Sequence, residues 1–206
     1  MDFGLKHFLT LSDGRTVDSP EYFKKTMDKL AWEQRKLSRK RKGSKNRKKQ
    51  RRKIARLHQH IADQRKDFLH KLTAKLVAES QCDCFCLEDL NLKGMMKRRG
   101  RKVSDLSYYE FTRQLAYKAA WHGKRVIKIG RFDPSTQVCS QCGHRRKMPL
   151  DVRVYSCPEC GNRMDRDVNA AVNIRNFALR NANPNFKSTE ASSGINDCRD
   201  GSSGLG

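Results

Sequence analysis

Acidic residues are scarce in this chain, whereas basic residues are abundant. The 206 residues include 22 Asp and Glu against 45 Lys and Arg, which gives a formal net charge of +23 and a pI of about 10.1. A positive field of this size attracts polyanions, and nucleic acid is the most general partner of that kind. Association with the ribosome or with a membrane surface are the alternatives that composition leaves open.

Long apolar runs are also missing. The sequence has no stretch of about 18 apolar residues and no signal peptide with an apolar core. We therefore expect no membrane span and no export. The eight cysteines do not suggest a disulfide framework, because four of them fall into two matched pairs. This pattern fits a reducing cytosol, and we predict a cytoplasmic, nucleoid-associated protein.

The two matched pairs have the form Cys-x-x-Cys. They are Cys139 with Cys142 and Cys157 with Cys160, with fourteen residues between the pairs. This spacing is typical of a zinc site with four thiolate ligands. Because the protein would fill all four positions, we expect one structural Zn²⁺. Its binding, on the order of 10–16 kcal/mol, would supply most of the folding free energy of this small unit.

Residues 21–80 have the pattern of two long helices with a turn at Gly43 and Ser44. This segment holds 21 Lys and Arg against 6 Asp and Glu, which is +15 of the total +23. A charge of one sign favours a phosphate-binding surface over an ordinary solvated helix face. We expect the densest part to bind nucleic acid through Arg39, Lys40, Arg41, Lys42, Lys45, Arg47, Lys48, Lys49, Arg51 and Arg52.

The rest of the chain alternates between strand and helix patterns. A hairpin is predicted over residues 2–17, strands over 83–88 and 126–129, and amphipathic helices over 107–122 and 168–179. Strands separated by helices predict an α/β fold with helices packed on a sheet.

Three further expectations concern single segments. The loop after Glu88 is predicted to run into the basic residues 97–99. The helix over 107–122 is predicted to bury Trp121 together with Phe111 and Leu115. The Gly-, Ser- and Asn-rich tail over 181–206 is predicted to be disordered.

Three acidic residues stand where predicted elements begin or end. Asp2 lies on the first strand, Glu88 ends a strand, and Asp167 opens the last helix. Hydrolysis of a phosphodiester with two metal ions requires carboxylates around ions about 3.5–4 Å apart, and oxygen ligands suit Mg²⁺ or Mn²⁺. Taken singly, Glu88 could be a surface residue, and Asp165 or Asp167 could cap a helix. The ordered set predicts a catalytic site.

Several motifs recur together. They are Asp2-Phe3-Gly4-Leu5-Lys6 with Ser12-Asp13-Gly14, Leu87-Glu88-Asp89-Leu90-Asn91 with Lys93-Gly94-Met95, Pro134-Ser135 before the first cysteine pair, and Cys157-Pro158-Glu159-Cys160-Gly161 leading to Asp165-Arg166-Asp167-Val168-Asn169-Ala170-Ala171. With these motifs, roughly residues 2–177 resemble the C-terminal half of the TnpB/OrfB proteins of insertion sequences, relatives of the type V CRISPR effectors.

The resemblance implies an RNase H-like (RuvC) sheet with an inserted basic helical pair and a small zinc ribbon. It implies that Asp2, Glu88 and Asp167 are catalytic, with Asp165 as the alternative for the third role, and that Arg166 and Asn169 support them. The implied cofactors are Mg²⁺ or Mn²⁺ beside the zinc, and the implied partners are DNA and a guide RNA. The implied division is 1–20, 81–136 and 165–180 for the RuvC-like domain, 21–80 for the helical insertion and 137–164 for the ribbon.

The front of the chain departs from the family pattern. Family members are about twice as long, and their first strand has several apolar residues before its aspartate, where only Met1 precedes Asp2 here. We therefore expect Asp2 to lie on a frayed terminus. The prediction is an N-terminally truncated, transposon-associated endonuclease with weak or no activity alone. A non-catalytic DNA- or RNA-binding protein that regulates transposition, or an inert remnant, is the alternative, and the oligomeric state is open.

Overall fold

The computed structural model describes residues 1–149 and 151–182 as a mixed α/β protein, as predicted. Within these residues, no helix has both the length and the apolar character needed to cross a membrane. The predicted disordered tail lies outside the described residues, apart from two positions that end the last helix. The elements in chain order are β1 (His7–Thr10), β2 (Thr16–Asp18), α1 (Tyr22–Ser38), α2 (Lys45–Glu79), β3 (Cys84–Glu88), α3 (Leu92–Leu106), α4 (Tyr108–Trp121), β4 (Arg125–Ile129), β5 (Val154–Ser156), β6 (Arg163–Asp165) and α5 (Arg166–Ala182).

The strands of the described residues form three two-stranded ladders. β1 and β2 are antiparallel, which confirms the predicted hairpin. β3 and β4 are parallel, with Cys84 opposite Arg125 and Glu88 opposite Ile129. A parallel pair requires a long crossover, and α3 and α4 provide it. β5 and β6 form an antiparallel hairpin that carries the second cysteine pair.

The helical pair over 21–80 is confirmed as α1 and α2, which pack against each other. The connection between them contains Gly43 at φ 84°, in the left-handed region that favours glycine. Ser44 then caps α2, because its Oγ accepts a hydrogen bond from the Arg47 N–H at 3.2 Å.

The predicted loop after Glu88 is wrong, because residues 92–106 form the helix α3. Asn91 caps this helix by accepting a hydrogen bond from the Gly94 N–H at 3.1 Å. Of the side chains described in α3, Val103 and Leu106 are buried. Two glycines and several basic residues make this segment resemble a loop in the sequence, although its few apolar residues recur at helical spacing.

The main core lies between β1, β3, α2 and α4. Phe8 and Phe111 are fully buried there, with ring centroids 5.4 Å apart. Phe3 packs edge-on against Phe8 at 4.9 Å and against Tyr108 at 4.5 Å. The residue that follows Asp2 is therefore fixed in the core.

The prediction that Trp121 is buried is wrong, since 77% of its surface is exposed. At 3.6 residues per turn, Trp121 lies about 120° from the centre of the face that buries Phe111 and Leu115. Its hydrophobicity suggested burial, whereas its position on the helix places it toward solvent.

Candidate metal centres and nucleic-acid interface

The four paired cysteines come together at one point, as the sequence predicted. Their sulfur atoms all lie within 4.8 Å of one another. The Cys139 and Cys160 sulfurs are 3.7 Å apart, and those of Cys142 and Cys157 are 3.5 Å apart. A tetrahedron with Zn–S bonds of about 2.3 Å has edges of about 3.8 Å. The cluster therefore has the size and the donor set that fit one zinc ion.

Matching turns hold the two cysteine pairs. The Gly143 N–H donates to the Cys139 carbonyl at 3.0 Å, and the Gly161 N–H donates to the Cys157 carbonyl at 3.1 Å. Both glycines have positive φ, at 78° and 71°, which other residues rarely adopt. Burial disfavours ionisation of the Cys139 thiol, but N–H groups of Cys142 and Gln141 outweigh it and lower the pKa of Cys139 to about 6. At Cys142 the His144 N–H favours the thiolate, but burial and the neighbouring cysteines outweigh it and raise the pKa of Cys142 to about 12, so a metal ion would have to displace that proton.

Two buried asparagines on α5 hold the segment that leads from β4 to the first cysteine pair. Asn169 accepts a hydrogen bond from the Ser140 N–H at 3.1 Å and donates to the Val138 carbonyl at 2.8 Å. Asn173 donates to the carbonyls of Ser135 at 2.7 Å and Val138 at 2.6 Å. The cysteine cluster is thereby fastened to the helix that carries Asp167.

Asp165, Arg166 and Asp167 lie together at the start of α5, but their side chains make different contacts. Asp165 Oδ1 accepts hydrogen bonds from the N–H groups of Asp167 at 2.8 Å and Val168 at 3.2 Å, which is a helix-capping arrangement. Arg166 is buried and donates to the carbonyls of Pro149 at 2.7 Å and Val152 at 3.3 Å. Asp165 and Arg166 are thus engaged in structural contacts, whereas the Asp167 carboxylate has no such contact among the described residues.

Asp2 is well ordered, so the expectation of a frayed Asp2 is wrong. Its N–H and carbonyl both pair with Thr10 at 2.8 Å, in an antiparallel bridge. The Met1 nitrogen is buried and donates to the Cys86 carbonyl of β3 at 2.9 Å. Backbone pairing on both sides and the burial of Phe3 hold the Asp2 carboxyl in place next to β3.

The three predicted carboxylates interact electrostatically. Burial is the main cause that raises the pKa of Asp2 to about 7. The negative charges of Glu88 and Asp167 contribute to the same rise. The nearby Met1 ammonium and the Phe3 N–H act in the opposite direction. Asp2, Glu88 and Asp167 come from three separate parts of the chain, and they are near enough for the charges of Glu88 and Asp167 to act on Asp2.

Ser135 and Tyr108 hold Glu88 in place. Burial raises its pKa, the Ser135 hydroxyl opposes this by donating to Oε1 at 3.4 Å, and the charge of Asp133 raises it again. The Tyr108 hydroxyl donates to the Glu88 carbonyl at 2.5 Å and fixes the end of β3. The same burial and the charge of Glu88 raise the pKa of Tyr108.

The carboxylate cluster is more open than the thiolate cluster. Throughout residues 1–149 and 151–182, the four cysteines are the one set of three or more potential ligands packed within 4.8 Å. Asp2, Glu88 and Asp167 do not pack that closely, although they are near enough to shift the pKa of Asp2.

The predicted nucleic-acid-binding residues surround the α1–α2 connection. Arg47 has a different role from the one predicted, because its guanidinium donates to the carbonyls of Leu37 and Lys40, both at 2.9 Å, and closes the turn. Lys40 is half-buried. The other eight are exposed, which leaves their charges available to phosphates: Arg39, Arg41, Lys42, Lys45, Lys48, Lys49, Arg51 and Arg52.

Sequence reasoning missed several residues that build these sites. Tyr108 and Ser135 act on Glu88 from distant positions in the chain, and their side chains carry no spacing signal. The buried asparagines at 169 and 173 are spaced four apart, which places them on one helix face. The resemblance implied a supporting role for Asn169, whereas Asn173 was not singled out in the sequence.

Two family models match the chain, one described as "Probable transposase" over residues 1–99 and one described as "Cas12f1-like, TNB domain" over residues 108–174. A relative from Streptomyces pristinaespiralis, named "Putative RNA-guided DNA endonuclease", is 45% identical over 84% of this chain and 43% of its own length. An Escherichia coli relative of the same name, InsQ, is 38% identical over 84% of this chain and 47% of its own length. The chain thus spans about half the length of these curated relatives.

Two solved structures have a similar fold. A chain from a cryo-EM structure of a Cas12f1–sgRNA–target DNA complex matches 84% of this chain and 48% of its own length, with a TM-score of 0.55 and 18% identity. A CRISPR-Cas12f ternary complex gives a TM-score of 0.59 at the same identity, over 84% of this chain and 35% of that one. The family models and the curated relatives show that the chain belongs to the TnpB/OrfB family of insertion-sequence proteins.

Proposed function

We propose that this chain is the nuclease part of an RNA-guided, metal-dependent DNA endonuclease, with an RNase H-like (RuvC) fold. The names of the relatives and the structural likeness to Cas12f1 support this proposal. The predicted partners are DNA and a guide RNA, and the cytoplasmic, nucleoid-associated location stays a prediction. The expectation that this chain cleaves weakly or not at all by itself stays a prediction.

The observation that carries the proposal is the carboxylate cluster of Asp2, Glu88 and Asp167. The three acidic side chains would repel one another if they were all ionised. Burial and this repulsion raise the pKa of Asp2 to about 7. Divalent cations would relieve the repulsion. Oxygen ligands of this kind select Mg²⁺ or Mn²⁺.

Each residue in the cluster has a defined task in the proposed reaction. Bound divalent ions would activate a water and stabilise the charge that develops on the scissile phosphate. Asp2 and Glu88 would hold ions from the sheet side, and Asp167 would hold them from α5. Ser135 and Tyr108 fix Glu88, while Asp165 caps α5 and so orients Asp167.

We also propose that the four cysteines bind one structural Zn²⁺ within a ribbon over residues 137–164. The sulfur separations support this assignment. The asparagine contacts from α5 would connect the ribbon to the helix that carries Asp167 and so help to fix the position of Asp167. The other predicted domain boundaries are kept as proposals.

Cleavage of single-stranded DNA in the presence of Mg²⁺ or Mn²⁺ tests the proposed chemistry. We expect slow, metal-dependent nicking that Glu88→Gln and Asp167→Asn abolish. Asp63→Asn is the matched control, because Asp63 is exposed on α2 and contacts only its own helix through Gln59. Cleavage that is independent of metal, or equal in all variants, would refute the proposal.

The exposed basic residues favour a second candidate, a non-catalytic nucleic-acid-binding protein. If six to ten cations engage phosphates, affinity should fall steeply with salt, with a log–log slope of roughly −0.9 per contact on duplex DNA. Strong binding with this slope, together with no metal binding by the carboxylates, would favour the second candidate. A nucleic-acid affinity that does not change with salt concentration would exclude both candidate functions.

A further inference from the structure

Trp32 lies in the middle of the most basic surface of the chain, and 49% of its surface is exposed. Residues 25, 29, 32, 36 and 39 are spaced four, three, four and three apart, so they share one face of α1. Four of these five are cations: Lys25, Lys29, Lys36 and Arg39. The face runs for about 21 Å along the helix, with Asp28 at its edge.

Two ammonium groups lie close to the Trp32 ring. Lys36 Nζ is 3.0 Å from the ring centroid, and Lys53 Nζ, from α2, is 5.8 Å from it. An exposed aromatic ring with cations close to it is suited to an unpaired nucleotide, whose base can stack on the ring while its phosphates pair with the cations. About half of the Trp32 surface is exposed, so part of the ring is open to a ligand.

The residue that follows Trp32, Glu33, has a buried carboxylate that links α1 to α2. Glu33 is 1% exposed, and its carboxylate pairs with Lys53 Nζ at 2.7 Å. Gln50 donates to both the carbonyl and the carboxylate of Glu33, at 3.0 and 2.5 Å. These contacts join α1 to α2 next to the ring and hold Lys53 beside it.

We infer that Trp32 is a stacking platform for an unpaired base of single-stranded DNA or RNA, within the basic helical pair. This inference rests on the proposed nucleic-acid function and adds the residue that contacts a base. An incoming base would displace the Lys36 ammonium from the ring face. The displaced ammonium, on its flexible stem, could then pair with the neighbouring phosphate. Stacking on an aromatic ring is worth more than an exposed cation–π contact, so the exchange is favourable.

The sequence offers a direct optical test, because it contains two tryptophans. The second, Trp121, is more exposed at 77%, and its ring packs against Tyr117 with centroids 4.7 Å apart. Trp121→Phe leaves Trp32 as the single indole, and Trp32→Phe leaves Trp121. Emission quenching on addition of oligo(dT) or oligo(U) to the zinc-loaded chain then reports on one tryptophan at a time.

We expect oligo(dT) or oligo(U) to quench emission in Trp121→Phe and to leave emission in Trp32→Phe unchanged. Anisotropy of a labelled oligo(dT) should show that Trp32→Ala weakens binding about ten-fold without changing the salt slope. Blunt duplex DNA should bind without quenching Trp32, because it offers no unpaired base.

Equal affinity of Trp32→Ala and the parent chain, or quenching of Trp121 alone, would overturn the inference while the nucleic-acid function stands. Absence of any anisotropy change with the parent chain would instead refute the proposed function itself. Circular dichroism of Trp32→Ala and Trp32→Phe establishes that the helical pair is still folded. If Trp32→Ala loses helicity, Trp32→Phe and the quenching of Trp121→Phe decide the outcome.

Discussion

The Asp2 carboxyl should give the stability of this protein a pH dependence that one substitution removes. Its ordinary pKa is 3.8, and burial with the charges of Glu88 and Asp167 raises it to about 7 in the folded chain. Between these two values the folded chain holds a proton that the unfolded chain has lost. The contribution of Asp2 to the free energy of unfolding is therefore greatest at low pH and falls as the pH rises to about 7.

The size of the effect follows from the two pKa values. Over the whole interval the loss is about 4 kcal/mol, since one pKa unit corresponds to about 1.4 kcal/mol. Between about pH 5.5 and about pH 8, where denaturation is practical, the loss is about 2 kcal/mol. Mg²⁺ should reverse this loss at about pH 8, because it binds the ionised carboxylates.

Urea denaturation of the parent chain and of Asp2→Asn, at several pH values without divalent ions other than zinc, measures the effect. The difference between the two chains isolates Asp2 from the cysteines, whose ionisation also changes with pH. Asp167→Asn should partly reduce the change in the free energy of unfolding with pH, because it removes one of the two negative charges that repel the Asp2 carboxylate. A difference that is flat with pH, or that grows as pH rises, would refute the electrostatic account of the cluster.

Three further predictions concern the zinc cluster, α5 and the basic surface. Cys142→Ser should abolish the one-zinc stoichiometry measured by elemental analysis, whereas Cys82→Ser, outside the cluster, should retain it; zinc retained in both would contradict the assignment. Asn173→Ala removes the side-chain donor to the Ser135 carbonyl and one of the two asparagine donors to the Val138 carbonyl, so it should lower the free energy of unfolding by about 1–3 kcal/mol, while the exposed control Asn181→Ala should change it little. Arg51→Ala should reduce the salt slope of DNA binding by about 1 without affecting stability, and an unchanged slope would remove Arg51 from the interface.

Much of the architecture could be predicted because it depends on local signals. The cysteine spacing, the apolar strand at residues 84–88 and the long basic helices each carry their pattern within a short window. α3 could not be predicted in this way. Its stability depends on a single capping asparagine and on two buried residues, Val103 and Leu106, which contact the rest of the fold.

The identity of the carboxylate site stays a prediction, and the structure adds how its residues are held in place. Asp2, Glu88 and Asp167 were found through the ordered motifs of the family. The anchoring of Asp2 depends on backbone bonds to Thr10 and on the packing of Phe3, which are properties of the folded chain. A count of apolar residues before Asp2 therefore gave the wrong expectation about its order.

The central claim is that Asp2, Glu88 and Asp167 form one divalent-metal site. Its most direct test is a Mn²⁺ titration of the zinc-loaded chain, followed by electron paramagnetic resonance of free Mn²⁺. We predict saturable binding that each of Asp2→Asn, Glu88→Gln and Asp167→Asn weakens by about ten-fold or more, while Asp63→Asn has no effect. Equal Mn²⁺ binding by the parent chain and all three variants would contradict the claim.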